Sequence, residues 1–169
     1  MIILGLDPGT NRIGYGLINQ GGGKTIALDY GCMDFKSVKD NPLANLPLIQ
    51  KAIAAILKKY RPDLVAIEKI FFFKNKKTVI SVSQARGVIL AAVMEQGFKV
   101  KEFTPLEVKQ AVSGYGRADK KAVQKMVKII LGLEKEPKPD DAADALAVAI
   151  CCANTRDYTL AEPHPARWG

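Results

Sequence analysis

Short apolar runs alternate along the chain with longer stretches of helical period. Ile2 to Leu6 is apolar without alternation, as a strand buried on both faces reads. It ends in Asp7, and Pro8-Gly9 then turns the chain. Ile13 to Ile18 is a second strand. After the Gly21-Gly22-Gly23 turn, Thr25 to Phe35 is a third, completing an antiparallel meander. Leu43 to Tyr60 follows a helical period, with Leu46, Ile49, Ile53, Ile56 and Leu57 on one face. Pro62-Asp63 ends that helix, and Leu64 to Ile67 is another buried strand ending in a carboxylate, Glu68. Val79 to Gln96 reads as a long helix with Val82, Ala85, Ile89, Ala92 and Val93 on a small apolar face. Lys99 to Phe103 is the fifth strand. Thr104 and Pro105 start a helix as N-cap and first residue, and it breaks near Ser113-Gly114-Tyr115-Gly116. Arg117 to Leu131 is amphipathic and basic, and Asp140 to Ala153 is an almost wholly apolar helix. Strands and helices in this order predict an α/β protein with a five-stranded mixed sheet flanked by helices. One domain over residues 1–156 and a flexible C-terminal tail over 157–169 are expected.

The pattern also places charges where charges are costly. A strand reached through a helical crossover runs parallel to a strand of the meander. With the first strand as its partner, Asp7 and Glu68 emerge side by side at one rim of the sheet. Two adjacent carboxylates repel unless a cation or a shared proton lies between them. Asp140 and Asp141 suit a helix N-terminus. Asp144 does not, because nearly every neighbour is apolar and an unpaired buried carboxylate is expensive. Asp141 and Asp144 are three residues apart and Asp140 and Asp144 four, so either pair shares a helix face. The simplest relief is a divalent cation held jointly with Asp7 and Glu68. Oxygen-only ligands suit Mg²⁺, with Mn²⁺ as a substitute. Two such ions in one site would activate a water and stabilise the leaving oxygen of a phosphodiester.

Composition adds a substrate. A net charge of +8 over 169 residues favours a polyanionic partner, and nucleic acid is the foremost of these. Phe71-Phe72-Phe73-Lys74-Asn75-Lys76-Lys77 puts rings for stacking on bases beside lysines for phosphates. Arg117 and Lys121 are further candidate DNA contacts, and Arg86 either contacts phosphate or pairs with an acid within the fold. The three cysteines have neither metal spacing nor a disulfide framework, which fits a reducing cytoplasm. No secretory signal is apparent. The longest apolar run, Ala145 to Ala153, falls short of the ~20 residues of a membrane span, so no membrane partner is expected. These features predict a metal-dependent nuclease with a ribonuclease H-like core.

Four motifs then resemble the RuvC family of Holliday junction resolvases, the crossover junction endodeoxyribonucleases. They are Gly5-Leu6-Asp7-Pro8-Gly9, Ala66-Ile67-Glu68 with Phe71 and Lys74-Asn75 following, Gln84-Ala85-Arg86-Gly87, and Asp141-Ala142-Ala143-Asp144-Ala145-Leu146-Ala147. The resemblance runs from Met1 to about Thr155. It implies that Asp7, Glu68, Asp141 and Asp144 bind Mg²⁺ or Mn²⁺, although some members carry His where this chain has Asp141. It implies that Phe71 stacks on a base at the crossover and that Lys109 and Lys120 stand near the scissile phosphate. It also implies a homodimer that resolves Holliday junctions by symmetric nicks in recombination and DNA repair, in concert with the branch-migration proteins RuvA and RuvB. Two other readings compete. The Asp-Pro-Gly-Thr-Asn turn is similar to the phosphate loop of the actin and sugar-kinase group, which needs a second domain. A junction-binding module without catalysis would need none of the four acids.

Overall fold

In a computed structural model, which describes residues 1–35, 41–70 and 79–155, five strands form one sheet in the order β3-β2-β1-β4-β5. The strands are β1 (Ile2–Asp7), β2 (Arg12–Gly21), β3 (Lys24–Asp34), β4 (Leu64–Glu68) and β5 (Val100–Phe103). β1 pairs antiparallel with β2 and parallel with β4, so it is central and both its ladders are filled. This is the ribonuclease H-like arrangement that the sequence predicts.

Side-chain alternation divides the sheet into two packed faces. Leu4, Leu6, Ile13, Leu17, Val65 and Ile67 point to the face covered by α1 (Leu46–Tyr60) and α2 (Val79–Glu95). Ile3, Ile18, Leu64, Ala66 and Phe103 point to the other, covered by α3 (Pro105–Ser113), α4 (Lys120–Ile130) and α5 (Asp140–Asn154). α5 lies directly on β1 and β2 and is buried from Ala142 to Ala153 except at Asp144. The close approach depends on glycines in the strands beneath. A methyl group at Gly5 would overlap the carbonyl oxygen of Ala145 and stand 2.7 Å from the amide nitrogen of Ala149. At Gly14 it would overlap the carbonyl oxygen of Asp141.

Two helix starts lie further along the chain than the periodicity indicates. The stretch from Leu43 begins as a 3-10 turn, Pro42–Asn45, and α1 proper begins at Leu46. The Asn41 side chain accepts from the Leu43 amide and holds that turn. The basic segment from Arg117 becomes helical only at Lys120, because the Asp119 carboxylate accepts from the Ala122 amide as an N-cap. The Phe71 to Lys77 segment and the tail lie outside the described residues.

α3 starts where predicted, with a reciprocal cap. Thr104 Oγ1 accepts from the Glu107 amide, and the Glu107 carboxylate accepts from the Thr104 amide at 2.7 Å. The Thr104 amide holds the Glu107 carboxyl below the usual carboxylate range. Thr104→Ala is expected to cost about 1 kcal/mol, which lowers Tm by roughly 3 °C in thermal unfolding. An unchanged Tm would show that α3 is held by its packing alone.

Candidate active site

The alternation that sorts the core also aims the acids. Asp7 follows Ile3 and Gly5, and Glu68 follows Leu64 and Ala66, so both carboxylates leave the sheet on the α5 face. Leu6 pairs with Ile67 in parallel register, which puts Asp7 and Glu68 side by side at the C-terminal rim. Asp144 projects from the first turns of α5 into the same place. A cleft of about 660 Å³ opens there, lined by Asp7, Glu68, Asp144, Lys109 and Lys120, with Pro105, Leu106 and Val108 of α3 forming part of an apolar wall.

The electrostatics are those of crowded anions. Burial raises the Asp7 pKa well above the ordinary carboxylate range, and Glu68, Asp144 and Asp141 raise it further. Burial also raises Asp144, while Lys120 works against that rise. The Lys120 Nζ stands 3.0 Å from Asp144 Oδ2 and 3.4 Å from Asp140 Oδ2. Partial burial opposes its charge, but the two carboxylates outweigh that and hold its pKa above the ordinary value. Asp141 pairs with Arg12, whose Nη2 lies 3.0 Å from Asp141 Oδ2.

The structure therefore brings Asp7, Glu68, Asp144, Lys109 and Lys120 around one cleft; Asp141 is not among its lining residues and is turned to Arg12 instead. Asp140, the other acid at the start of α5, is turned to Lys120 and is exposed. The acids ring the cleft without closing on a common point. Among the described residues, no three His, Cys, Asp or Glu side chains form a ready metal-holding group. As a donor set they still fit a hard divalent cation: every ligand is a carboxylate oxygen, and their mutual repulsion at Asp7 favours positive charge between them. Arg117 and Lys121 are exposed on the same side of the fold as the cleft helices. Phe71, Phe72, Phe73, Lys74, Lys76 and Lys77 lie outside the described residues.

Arg86 sits on α2, across the sheet from the carboxylates. Its guanidinium pairs with Glu102 of β5, and its Nε donates to the Glu68 carbonyl at 3.4 Å. Of the two readings open for it, the pairing with an acid within the fold is observed, and it braces the backbone that carries Glu68.

Sequence reasoning missed two residues. Arg12 reads as part of a turn, yet it shares a face of β2 with Gly14, and Gly14 leaves room for α5 to bring Asp141 within its reach. Asn45 is fully buried. Its Nδ2 donates to the Thr10 carbonyl and to Asn11 Oδ1, both at 3.1 Å, which pins the turn that follows Asp7. A polar residue just before an apolar helical stretch was the available signal, and it reads equally well as an ordinary helix cap.

Comparison with known proteins places this geometry in a family. The family model for RuvC, crossover junction endodeoxyribonuclease, matches residues 3–152. The crossover junction endodeoxyribonuclease RuvC of Moorella thermoacetica is 51% identical over 166 residues, covering 98% of this chain and 99% of its own. The structure of Thermus thermophilus RuvC superposes with a TM-score of 0.80 at 34% identity, covering 90% of this chain and 93% of the other. The same protein in complex with a Holliday junction substrate also gives 0.80, at 32% identity and the same coverage.

Proposed function

The chain belongs to the RuvC family of crossover junction endodeoxyribonucleases, and from that premise we propose that it resolves Holliday junctions by metal-dependent hydrolysis at the cleft between β1, β4 and α5. The observation that carries this reading is the convergence of Asp7, Glu68 and Asp144 on a cleft that also holds Lys109 and Lys120. Asp7, Glu68, Asp141 and Asp144 would hold the metal, with Mg²⁺ as the natural ion, Mn²⁺ as a substitute and two ions per site. When bound, such ions supply Lewis acidity and a water acidified enough to attack phosphorus. The chain's own residues do the remaining work. The strand ends fix Asp7 and Glu68 on rigid backbone. Lys109 and Lys120, which line the cleft, would offset the charge that grows on the phosphate oxygens during cleavage.

Phosphate contacts set the affinity and carry no sequence information directly. Arg117, Lys121 and the lysines 74, 76 and 77 are the proposed phosphate contacts, and Phe71 to Phe73 the proposed base contacts. Two copies of the chain related by a two-fold axis would make symmetric cuts in a four-way junction, acting in the cytoplasm with RuvA and RuvB. Among the described residues, no helix is long and apolar enough to cross a membrane.

The test is cleavage of a synthetic four-way junction in Mg²⁺, beside linear duplex and Y-shaped DNA of the same sequences. Paired nicks at symmetric positions on the junction alone, lost when EDTA removes the metal, are expected. Tight junction binding without nicks in Mg²⁺ or Mn²⁺ would make the protein a binding module instead.

A further inference from the structure

We propose that Asp140 is a positioning residue for Lys120: it gives the ammonium a second carboxylate, so that Asp144 can turn to a divalent cation while Lys120 stays at the cleft wall. The inference rests on the reading of Asp144 as a metal ligand. Its basis is geometric. Asp140 and Asp144 lie one turn apart on α5, and the Lys120 Nζ sits between their Oδ2 atoms at 3.4 and 3.0 Å. Lys120 first, and the side chain of the buried Gln124 one turn beyond it in α4, hold the Asp140 carboxyl below the usual carboxylate range. Asp119 in turn caps the first turn of α4, which fixes the base of Lys120.

These contacts solve a conflict within the site. Lys120 and a divalent cation both need Asp144. A lysine with that single partner would oppose the cation as a like charge, and would swing into solvent once displaced. With Asp140 beside it, Lys120 gives up one of two ion pairs and keeps the other. Its ammonium then remains beside the cleft, where a substrate phosphate can use it. Asp140 is 62% exposed at its side chain, so water screens this second pair and it holds the ammonium more weakly than Asp144 does until a cation takes Asp144.

The experiment is a double-mutant cycle read by calorimetric binding of Mn²⁺ to the full chain without DNA. Asp140→Asn is expected to weaken Mn²⁺ by about tenfold, the lower end of what loss of a partner behind a metal ligand does. Lys120→Met is expected to tighten Mn²⁺, and in that background Asp140→Asn should change affinity by less than about twofold, since no competing lysine remains. Asp140→Glu should restore the wild-type affinity. Equal factors for Asp140→Asn in both backgrounds would reduce Asp140 to a distant attracting charge and overturn the proposal, as would no effect in either. Asp144→Asn is the control. If it leaves Mn²⁺ binding intact, the ligand assignment itself fails and the proposal falls with it. If Asp144→Asn abolishes binding while the cycle shows no coupling, only the role of Asp140 is refuted.

Discussion

Asp7→Asn abolishes junction cleavage, lowering the rate by at least about a hundredfold, while the protein melts at the same temperature or higher. The first half follows from the place of Asp7 at the centre of the acids. The second follows from its charge. Burial, then Glu68, Asp144 and Asp141, raise its pKa in the folded chain above the value it has when unfolded. The folded state thus binds the Asp7 proton more tightly than the unfolded state. The stability this contributes is fully present below the unfolded carboxylate pKa and is lost as pH rises through the folded one. Above the unfolded carboxylate pKa, Asp7 must either be buried as an anion or take up a proton on folding, and asparagine removes that burden with little change of shape. The gain in Tm should therefore be largest near neutral pH and shrink toward pH 4. Junction affinity is expected to hold, because phosphate contacts dominate it. Nicking assays, gel shift and melting curves on one preparation check all three. A fall of several degrees in Tm at neutral pH would make Asp7 a structural anchor of the Pro8-Gly9 turn, with lost cleavage as a by-product.

Gly5→Ala is expected to be, with Gly14→Ala, among the most damaging single-methyl changes in the sheet. The added carbon meets backbone atoms of α5 at Ala145 and Ala149, and a helix backbone cannot rotate away as a side chain can. Either β1 or α5 must shift, and both carry site carboxylates. Overpacking of this severity costs about 3 kcal/mol, which corresponds to a drop in Tm of roughly 10 °C. Cleavage should fall even at temperatures where the variant is folded, because Asp141 and Asp144 move with α5. A Tm within 2 °C of wild type would mean that α5 has slack on the sheet.

Strand ends and helix burial were legible in the sequence for a physical reason. An uninterrupted apolar run closed by one carboxylate has few structural uses, and Asp7 and Glu68 each close one. The apolar surroundings of Asp144 marked a charge out of place, but the expectation of an unpaired buried carboxylate is corrected: its side chain is 33% exposed and paired with Lys120, a partner on another helix that the chain does not announce. Contacts that depend on how two elements press together were not legible. Arg12 reaches Asp141 only because Gly14 admits the first turn of α5, and neither residue signals the other in the chain. The partner of Arg86 depended on which face of the sheet α2 covers. The start of α1 slipped because the 3-10 turn at Pro42–Asn45 continues the apolar spacing of the helix after it.

The burial of α5 has one more consequence. A helix enclosed by the sheet on one side and by α3 and α4 on the other has no route to fray in its middle. Its ladder of amides opens only when the domain opens. Asp141 and Asp144 lie in the first turns of that helix, at the edge of its buried stretch, and Asp7 on the strand beneath it. The proposed metal carboxylates are thereby tied to elements that open with the domain, so loss of their arrangement should track global opening in amide exchange.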